Sequence, residues 1–204
     1  MEYHASIVQD CHMSVITVAN TKGGAGKSTS AVFLATAAAR TGRQVRVLDA
    51  DPQGTASEWA WAAEEDGTAL PFTVEPVNSA GLRHLHVTDD LTIVDTPPGE
   101  SSLVQAAIDL SDFVVIPTKA TSADLWRTAA TVAAVAGRLS GVLITQARTG
   151  TTLLNEVKTQ LDKDDVSYFD TVIPLREAIA SAVGTVPTEL WGYEIVLDEI
   201  MKEI

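Results

Sequence analysis

The sequence predicts an α/β domain, built as a doubly wound, mostly parallel sheet with helices on both faces. Short segments rich in Val and Ile alternate along the chain with longer segments of helical spacing. The short segments are almost continuously apolar, as is typical of parallel strands buried on both faces. The chain has 204 residues, of which 46% are hydrophobic, so one domain can bury a sizeable core.

The predicted domain begins after a polar N-terminal segment. Residues 1–12 are mixed in composition, and Met13 directly precedes the first apolar segment. We expect residues 1–12 to be a flexible extension, with His4 and His12 at its surface, and residues 13–204 to be a single domain. Met13 is therefore a candidate for the natural start of the protein.

Strands and helices alternate through the whole domain. The apolar strand segments are VITVA, QVRVLDAD, FTVEPV, LTIVDTPPG, FVVIPT, GVLIT and YFDTVI. In the first half, helices are predicted at STSAVFLATAAAR and TASEWAWAAEED, which Gly42 and Gly67 close, with a short turn or helix at SAGLRHL. In the second half they are SSLVQAAIDL, SADLWRTAATVAAVAGRL, TLLNEVKTQLD and TELWGYEIVLDEIMKEI.

Composition and charge limit the classes of function. No apolar run approaches the roughly 18 residues of a membrane span, and no N-terminal segment resembles a secretory signal. The single cysteine, Cys11, excludes an internal disulfide, so we expect a cytoplasmic protein. The formal net charge of −13 argues against a broadly basic nucleic-acid surface, but it leaves room for a local basic patch.

A glycine-rich segment, VANTKGGAGKSTS, follows the first predicted strand. The usual phosphate-loop pattern is Gly, four residues, then Gly-Lys-Ser/Thr; here the end matches, but Thr21 stands in place of the first glycine. Glycines let the backbone curl so that consecutive N–H groups face phosphate oxygens, and the following helix N terminus adds partial positive charge. The loop predicts a nucleotide site with an additional lysine, Lys22.

The residues of this loop have expected roles. Lys27 lies between the β- and γ-phosphates, Ser28 offers its hydroxyl to Mg²⁺, and Thr29 contacts the α-phosphate. The full set of expected contacts to the nucleotide in the loop is Gly23, Gly24, Ala25, Gly26, Lys27, Ser28 and Thr29.

Two acidic segments support a Mg²⁺-nucleotide site. VRVLDADPQG carries Asp49 and Asp51, which project to the same side if the strand continues. In LTIVDTPPG, four apolar or β-branched residues precede Asp95, the form of a Walker B carboxylate that holds Mg²⁺ through water. Any one of these aspartates could instead cap a helix, but ligands of such sheets bind beyond the carboxyl ends of the strands, where all three lie.

The segments KGGAGKST, VLDADPQGTAS and IVDTPPG resemble, in this order, the deviant Walker A, switch I and Walker B motifs of ParA-type plasmid partition ATPases, P-loop NTPases of the ParA/MinD family. The resemblance extends from Met13 to the C terminus and implies ATP and Mg²⁺ as ligands. It implies that Lys22 reaches the phosphates of the other subunit in a nucleotide-sandwich homodimer, as an arginine finger does. It further implies that Asp51 orients the attacking water and that Asp49 and Asp95 lie near Mg²⁺.

The resemblance also indicates the adenine contacts and the partners. Adenine is expected between LITQART and TVIPLREAI, with the candidates Thr145, Gln146, Arg148, Pro174 and Leu175. The resemblance is to the small ParA proteins, and we expect no upstream DNA-binding domain. They are expected to hydrolyse ATP slowly, to be stimulated by a ParB-like centromere-binding protein, and to bind nonspecific DNA of the nucleoid as ATP dimers. The first DNA-binding candidate is Arg176, which Lys158, Lys163 and Lys202 join if the last two helices lie together.

Two further features are expected to be structural. Trp126 lies in a predicted helix and is expected to pack, since Trp is highly buried on average. His84 and His86 in RHLH lack a nearby third ligand, so we expect a surface turn rather than a metal site.

Other functions of the same fold class meet specific objections. A MinD-like membrane cycler needs a basic amphipathic C-terminal helix, whereas IVLDEIMKEI is acidic on its polar side. A nitrogenase-reductase-like electron carrier needs two cysteines per subunit. A dethiobiotin-synthetase-like ligase needs a pocket for a carboxylate substrate, and the sequence offers no clear set of residues for one. A cargo-positioning ATPase outside plasmids stays an open alternative.

Overall fold

In the computed structural model, which describes residues 13–204, six strands form one sheet in the order β3-β2-β4-β1-β5-β6. The strands are β1 (Ser14–Val18), β2 (Val45–Asp49), β3 (Thr73–Pro76), β4 (Leu91–Asp95), β5 (Phe113–Lys119) and β6 (Ser140–Thr145). The helices are α1 (Lys27–Arg40), α2 (Thr55–Glu65), α3 (Ser79–Arg83), α4 (Ser102–Leu110), α5 (Ser122–Ala134), α6 (Thr152–Lys163), α7 (Glu177–Ala180) and α8 (Tyr193–Ile200). The prediction of a flexible extension at residues 1–12 lies outside the described residues.

The sheet is parallel throughout and is covered on both faces. Every neighbouring pair of strands is parallel. Successive strand residues contribute to different clusters of the core, because side chains alternate between the faces of a strand. In β5, Val115 packs with α1, α2 and α8, whereas Val114 packs with α4, α5 and α6. The predicted doubly wound α/β fold is confirmed.

The predicted strand YFDTVI is wrong. Tyr168 and Pro174 each form one isolated parallel bridge, with Val142 and Ala147, and no continuous ladder joins them. Between the bridges, the side chain of Glu199 takes the place of a strand neighbour. It accepts hydrogen bonds from the backbone N–H of residue 170 and from the hydroxyl of residue 171. The segment therefore follows β6 without becoming part of the sheet.

Two predicted helices are shorter in the structure, and one predicted burial is wrong. The last helix begins at Tyr193 because Trp191 and Gly192 have positive φ, 53° and 102°, which no right-handed helix accommodates. Helix α5 ends at Ala134, before Gly137 at φ 87°. Trp126 on that helix is 86% exposed instead of packed, because its side of α5 faces away from the sheet. No helix within residues 13–204 is long and apolar enough to span a membrane.

Candidate nucleotide-binding site

The glycine loop joins β1 to α1 at the carboxyl edge of the sheet. Gly24 and Gly26 have φ of 69° and 94°, a region that side chains with a Cβ rarely adopt. Gly26 is the N-cap of α1, and no side chain caps this helix end. The first N–H groups of α1 therefore lack a side-chain acceptor, which is the arrangement that binds a phosphate at a helix N terminus.

Thr21, the residue in place of the first glycine, ties the loop to α5. Its hydroxyl donates to the carbonyl oxygen of Arg127 at 3.1 Å, and its N–H donates to the hydroxyl of Thr131 at 3.1 Å. The preceding residue, Asn20, is buried and donates to the carbonyl of Pro117 at 2.7 Å. A glycine could make only the backbone contact, so the departure from the usual pattern serves to anchor the loop.

The two lysines of the loop have different environments. Lys27 is 7% exposed, and its ammonium donates to the carbonyl oxygen of Lys22 at 3.2 Å. Burial lowers the pKa of Lys27, while the charges of Asp95 and Asp51 raise it. The ammonium of Lys22 instead forms an ion pair with Asp124 in the first turn of α5. One lysine therefore faces into the loop, and the other faces α5.

Asp95 is a buried carboxylate at the end of β4. Neither of its oxygens accepts a hydrogen bond of normal geometry from the residues that the structure describes. Burial raises its pKa to about 7, the Ser28 hydroxyl and the Lys27 charge oppose the rise, and Asp49 adds to it. Because an unpaired buried carboxylate is costly, this group is suited to a cation.

Asp49 and Asp51 lie beside Asp95 but are held differently. Asp49 accepts from the N–H and hydroxyl of Ser57 and from the N–H of Asp51, at 2.8–3.2 Å. The strand ends at Asp49, so Asp51 lies in the following turn, where it accepts from the N–H of Gln53 at 2.9 Å. The charge of Asp51 still acts on Lys27 and on Asp95, so it belongs to the same site.

The side chains present fit Mg²⁺. Ser28, in the first turn of α1, and the unpaired carboxylate of Asp95 are oxygen ligands, which Mg²⁺ prefers. Within residues 13–204, no group of three or more His, Cys, Asp or Glu could hold a metal alone, and this applies also to His84 and His86. Mg²⁺ does not need three or more protein ligands, because it usually keeps several waters and is also coordinated by the phosphates of the substrate.

A cavity of about 200 Å³ adjoins the loop. Backbone bonds from Ala147 N to the carbonyl of Ile173 and from Leu175 N to the carbonyl of Ala147, 3.0 and 2.8 Å long, join its two walls. Of the predicted adenine contacts, the cavity is lined by Thr145, Gln146, Pro174 and Leu175, together with Gly26 and Thr29. Arg148 is exposed and does not line this cavity. The cavity is also lined by Ile173, Ile179, Ala180 and Tyr193, which were not predicted. The first three lie within or directly after TVIPLREAI, whereas Tyr193 lies in α8 and has no local signal in the sequence.

The four predicted DNA-binding residues lie in two places. Arg176 lines the same cavity as Thr145, the last residue of β6, and its guanidinium lies 5.5 Å from the ring of Trp191. Lys202 lines a groove at the other end of β6, beside Ser140 and Tyr168. The two ends of this strand are about 17 Å apart, at about 3.3 Å for each residue.

The remaining two lysines belong to α6. Lys158 lies 5.6 Å from the centre of the Tyr168 ring and donates to the carbonyl of Asp170 at 3.2 Å. Lys163 is exposed in the last turn of the helix. Lys158 therefore contacts Tyr168, and Lys202 lines the same groove as Tyr168, whereas Arg176 lies at the other end of β6.

Most of the chain matches the model of a known protein family. Residues 16–186 match the model of the CobQ/CobB/MinD/ParA nucleotide binding domain. Protein ParA of Rhizobium radiobacter is 40% identical over 114 residues, 55% of this chain and 51% of that protein. Maintenance of carboxysome distribution protein A of Gloeobacter kilaueensis is 42% identical over 115 residues, 54% of this chain and 51% of that protein. The chain thus spans about half the length of both relatives.

Two further comparisons cover most of the chain. The chromosome-partitioning ATPase Soj of Thermus thermophilus is 31% identical over 209 aligned residues, 82% of this chain and 83% of that protein. A plasmid partition protein of Borrelia burgdorferi B31, solved with AMPPNP bound, has a TM-score of 0.76 at 20% identity and covers 94% of this chain and 99% of its own. At that identity the second match demonstrates a shared fold.

Proposed function

Because the chain belongs to the CobQ/CobB/MinD/ParA nucleotide-binding family, we propose that it is a ParA-like ATPase that segregates plasmid DNA. One observation supports this most strongly. The glycine loop opens on an uncapped helix N terminus, with the unpaired, buried carboxylate of Asp95 near Ser28. Loop, hydroxyl and carboxylate together suit a nucleoside triphosphate and Mg²⁺.

The reaction is attack of water on the γ-phosphorus, with cleavage of the bond to ADP and release of phosphate. The loop amides and Lys27 bind the phosphates. Ser28 and Asp95 would hold Mg²⁺, which would supply positive charge to neutralise the phosphates. Asp51 orients and polarises the attacking water. Lys22 of a second copy stabilises the charge that develops on the transferring group, so hydrolysis requires the homodimer.

The remaining roles concern DNA and a protein partner. The ATP dimer binds nonspecific DNA of the nucleoid through Arg176, which is exposed at the edge that carries the nucleotide site. Lys158, Lys163 and Lys202 add a second basic region. Hydrolysis by the isolated chain is slow, and a basic segment of a ParB-like centromere-binding protein, drawn to this acidic chain, stimulates it.

A cargo-positioning ATPase is the second candidate function. The observation in its favour is the 42% identity to a carboxysome distribution protein over 54% of the chain. It would use the same nucleotide site and differ in the object that it moves.

DNA binding tests the proposal. Fluorescence anisotropy of labelled duplexes of arbitrary sequence is measured with ADP and with a non-hydrolysable ATP analogue. We expect a dissociation constant in the micromolar range with the analogue and no binding with ADP. The affinity should fall steeply as the salt concentration rises. Arg176→Ala should weaken binding to all duplexes alike and reduce the salt slope by about one, whereas Arg83→Ala on α3 should have no effect.

The outcomes separate the classes of function. Retention of DNA by the analogue-bound chain supports segregation, and its absence at low salt favours the cargo-positioning alternative. Phosphate release is measured in parallel with and without a small-molecule carboxylate acceptor. Turnover that occurs only with the acceptor would indicate a ligase of the dethiobiotin-synthetase type and contradict the proposal.

A further inference from the structure

We infer that Asp124 is a positioning residue that holds Lys22 within its own chain and so limits how readily two chains pair. This inference rests on the proposed function, in which Lys22 acts on the nucleotide of a second copy. It concerns the state before pairing, in which the Lys22 side chain has a different partner.

The ion pair joins a partly exposed lysine to a buried carboxylate. The Lys22 side chain is 30% exposed and that of Asp124 is 5% exposed. The hydroxyl of Thr121 donates to Asp124 Oδ2 at 2.6 Å, while Oδ1 faces the Lys22 ammonium. No other hydrogen bond of normal geometry reaches Oδ1 from the part of the chain that the structure describes. If Lys22 leaves, a buried negative charge loses its counterion, which is unfavourable; because Lys22 is 30% exposed, water can reach this position and reduces the cost.

The backbone around Lys22 is fixed to the same helix that carries Asp124. Thr21 is hydrogen-bonded to Arg127 and Thr131 of α5. The N–H of Lys22 donates to Asn20 Oδ1 at 2.9 Å, and the amide group of Asn20 lies 3.4 Å from the hydroxyl of Thr128. The loop and the first turns of α5 therefore form one unit, and the Lys22 side chain is the part that can change partner.

A competition follows from these contacts. The Lys22 ammonium pairs either with Asp124 of its own chain or with a phosphate bound to a second copy. Each chain must release its own pair before the symmetric dimer forms, so only a fraction of chains is competent to dimerise. The apparent dissociation constant of the dimer is multiplied by the inverse of that fraction once for each of the two chains. If about one chain in three to ten is competent, removing the competition strengthens the dimer roughly 10- to 100-fold.

The first measurement is dimerisation of the full chain by sedimentation velocity with a non-hydrolysable ATP analogue and Mg²⁺. We expect Asp124→Asn to lower the dimer dissociation constant roughly 10- to 100-fold. The ADP affinity of the monomer should stay unchanged, because Lys27 and the loop amides are intact. Asp109→Asn is the matched control, since Asp109 is an exposed carboxylate 4.0 Å from Arg138, and it should behave like the wild type.

The second measurement is thermal unfolding without nucleotide, as a double-mutant cycle of Lys22→Gln and Asp124→Asn. We expect Lys22→Gln to lower the melting temperature and the added Asp124→Asn to restore it, because the double variant leaves no buried charge unpaired. Additive effects of the two substitutions would overturn the inference, since they would mean that the two side chains do not interact.

The outcomes distinguish the inference from the proposed function. If the wild type and Asp124→Asn dimerise equally, the inference is wrong and the proposed dimer stands. If neither dimerises although both bind the analogue, the proposed dimer is wrong and the inference falls with it. A wild type that stays monomeric while Asp124→Asn dimerises would support the inference in its strongest form.

Discussion

Asp49 and Asp95 are register partners at the ends of the neighbouring strands β2 and β4, yet one carboxylate is fully hydrogen-bonded and the other is not. Asp49 accepts from Ser57 and from the N–H of Asp51, so it fixes the turn after β2 to α2. Asp95 accepts no hydrogen bond of normal geometry within residues 13–204, although the Ser28 hydroxyl lies close enough to lower its pKa. At this edge of the sheet, Asp49 therefore holds the backbone of the site in place, whereas Asp95 is suited to bind a cation.

We predict that Asp95→Asn stabilises the nucleotide-free protein above pH 7. Burial raises the pKa of Asp95 from 3.8 to about 7, so the folded chain binds this proton more tightly than the unfolded chain does. The free energy of unfolding therefore falls by up to about 4 kcal/mol as the pH rises from about 4 to about 7. Above pH 7 it stays at this lower value. Asparagine does not titrate, so the free energy of unfolding of the variant does not show this fall with pH.

Urea unfolding at pH 5 and pH 8 measures the difference. The gain of the variant should be larger at pH 8, and a variant less stable than the wild type at pH 8 would contradict the assignment. The same variant should lose the rise in melting temperature that Mg²⁺ gives to the wild type with an ATP analogue, because the carboxylate ligand is missing. Chelation by EDTA should therefore affect the wild type alone.

The local motifs of this site could be predicted from sequence because each lies in one short segment. The glycine loop, Asp49 and Asp95 follow their strands directly, and the order of strands and helices brings them to one edge. What the sequence could not give depends on contacts between distant segments. Glu199 diverts residues 168–173 from the sheet across nearly thirty positions, and no periodicity of the local segment reports this.

Two side chains illustrate the same limit. Trp126 was expected to pack, because Trp is highly buried on average, but only tertiary packing decides which side of the helix faces the sheet. Lys22 is recognisable from the motif, whereas its pairing with Asp124, about a hundred positions away, is visible only in the folded chain.

We predict that Asp51→Ala separates dimerisation from hydrolysis. Asp51 lies in the turn after β2, and its carboxylate accepts a hydrogen bond from the N–H of Gln53 rather than from the phosphate loop, so its removal leaves that loop intact. Loss of a water-orienting carboxylate should lower turnover about 10²- to 10⁴-fold, while the ATP-bound dimer persists. Phosphate release and sedimentation of the same preparation test both parts. A fall of less than about tenfold would assign the role elsewhere, with Asp49 as the next candidate.

We predict that Leu175→Ala weakens nucleotide binding by enlarging the cavity beside the loop. Leu175 is 45% exposed and lines this cavity of about 200 Å³ together with Thr29. Losing its contact with the base should raise the dissociation constant of ADP roughly 3- to 10-fold, since partial burial of such a side chain contributes about 1 kcal/mol. Leu153→Ala on α6, at 41% exposure, is the matched control. Equal affinities of the two variants, measured by calorimetry, would place the base elsewhere.

The most direct test of the account is the oligomeric state of Lys22→Ala with a non-hydrolysable ATP analogue and Mg²⁺, measured by light scattering coupled to gel filtration. Lys27, the loop amides and the α1 N terminus remain, so the variant should bind the analogue with nearly wild-type affinity. It should nevertheless elute as a monomer and fail to hydrolyse ATP, while the wild type dimerises. A Lys22→Ala protein that dimerises and turns over like the wild type would contradict the action of Lys22 on a second chain.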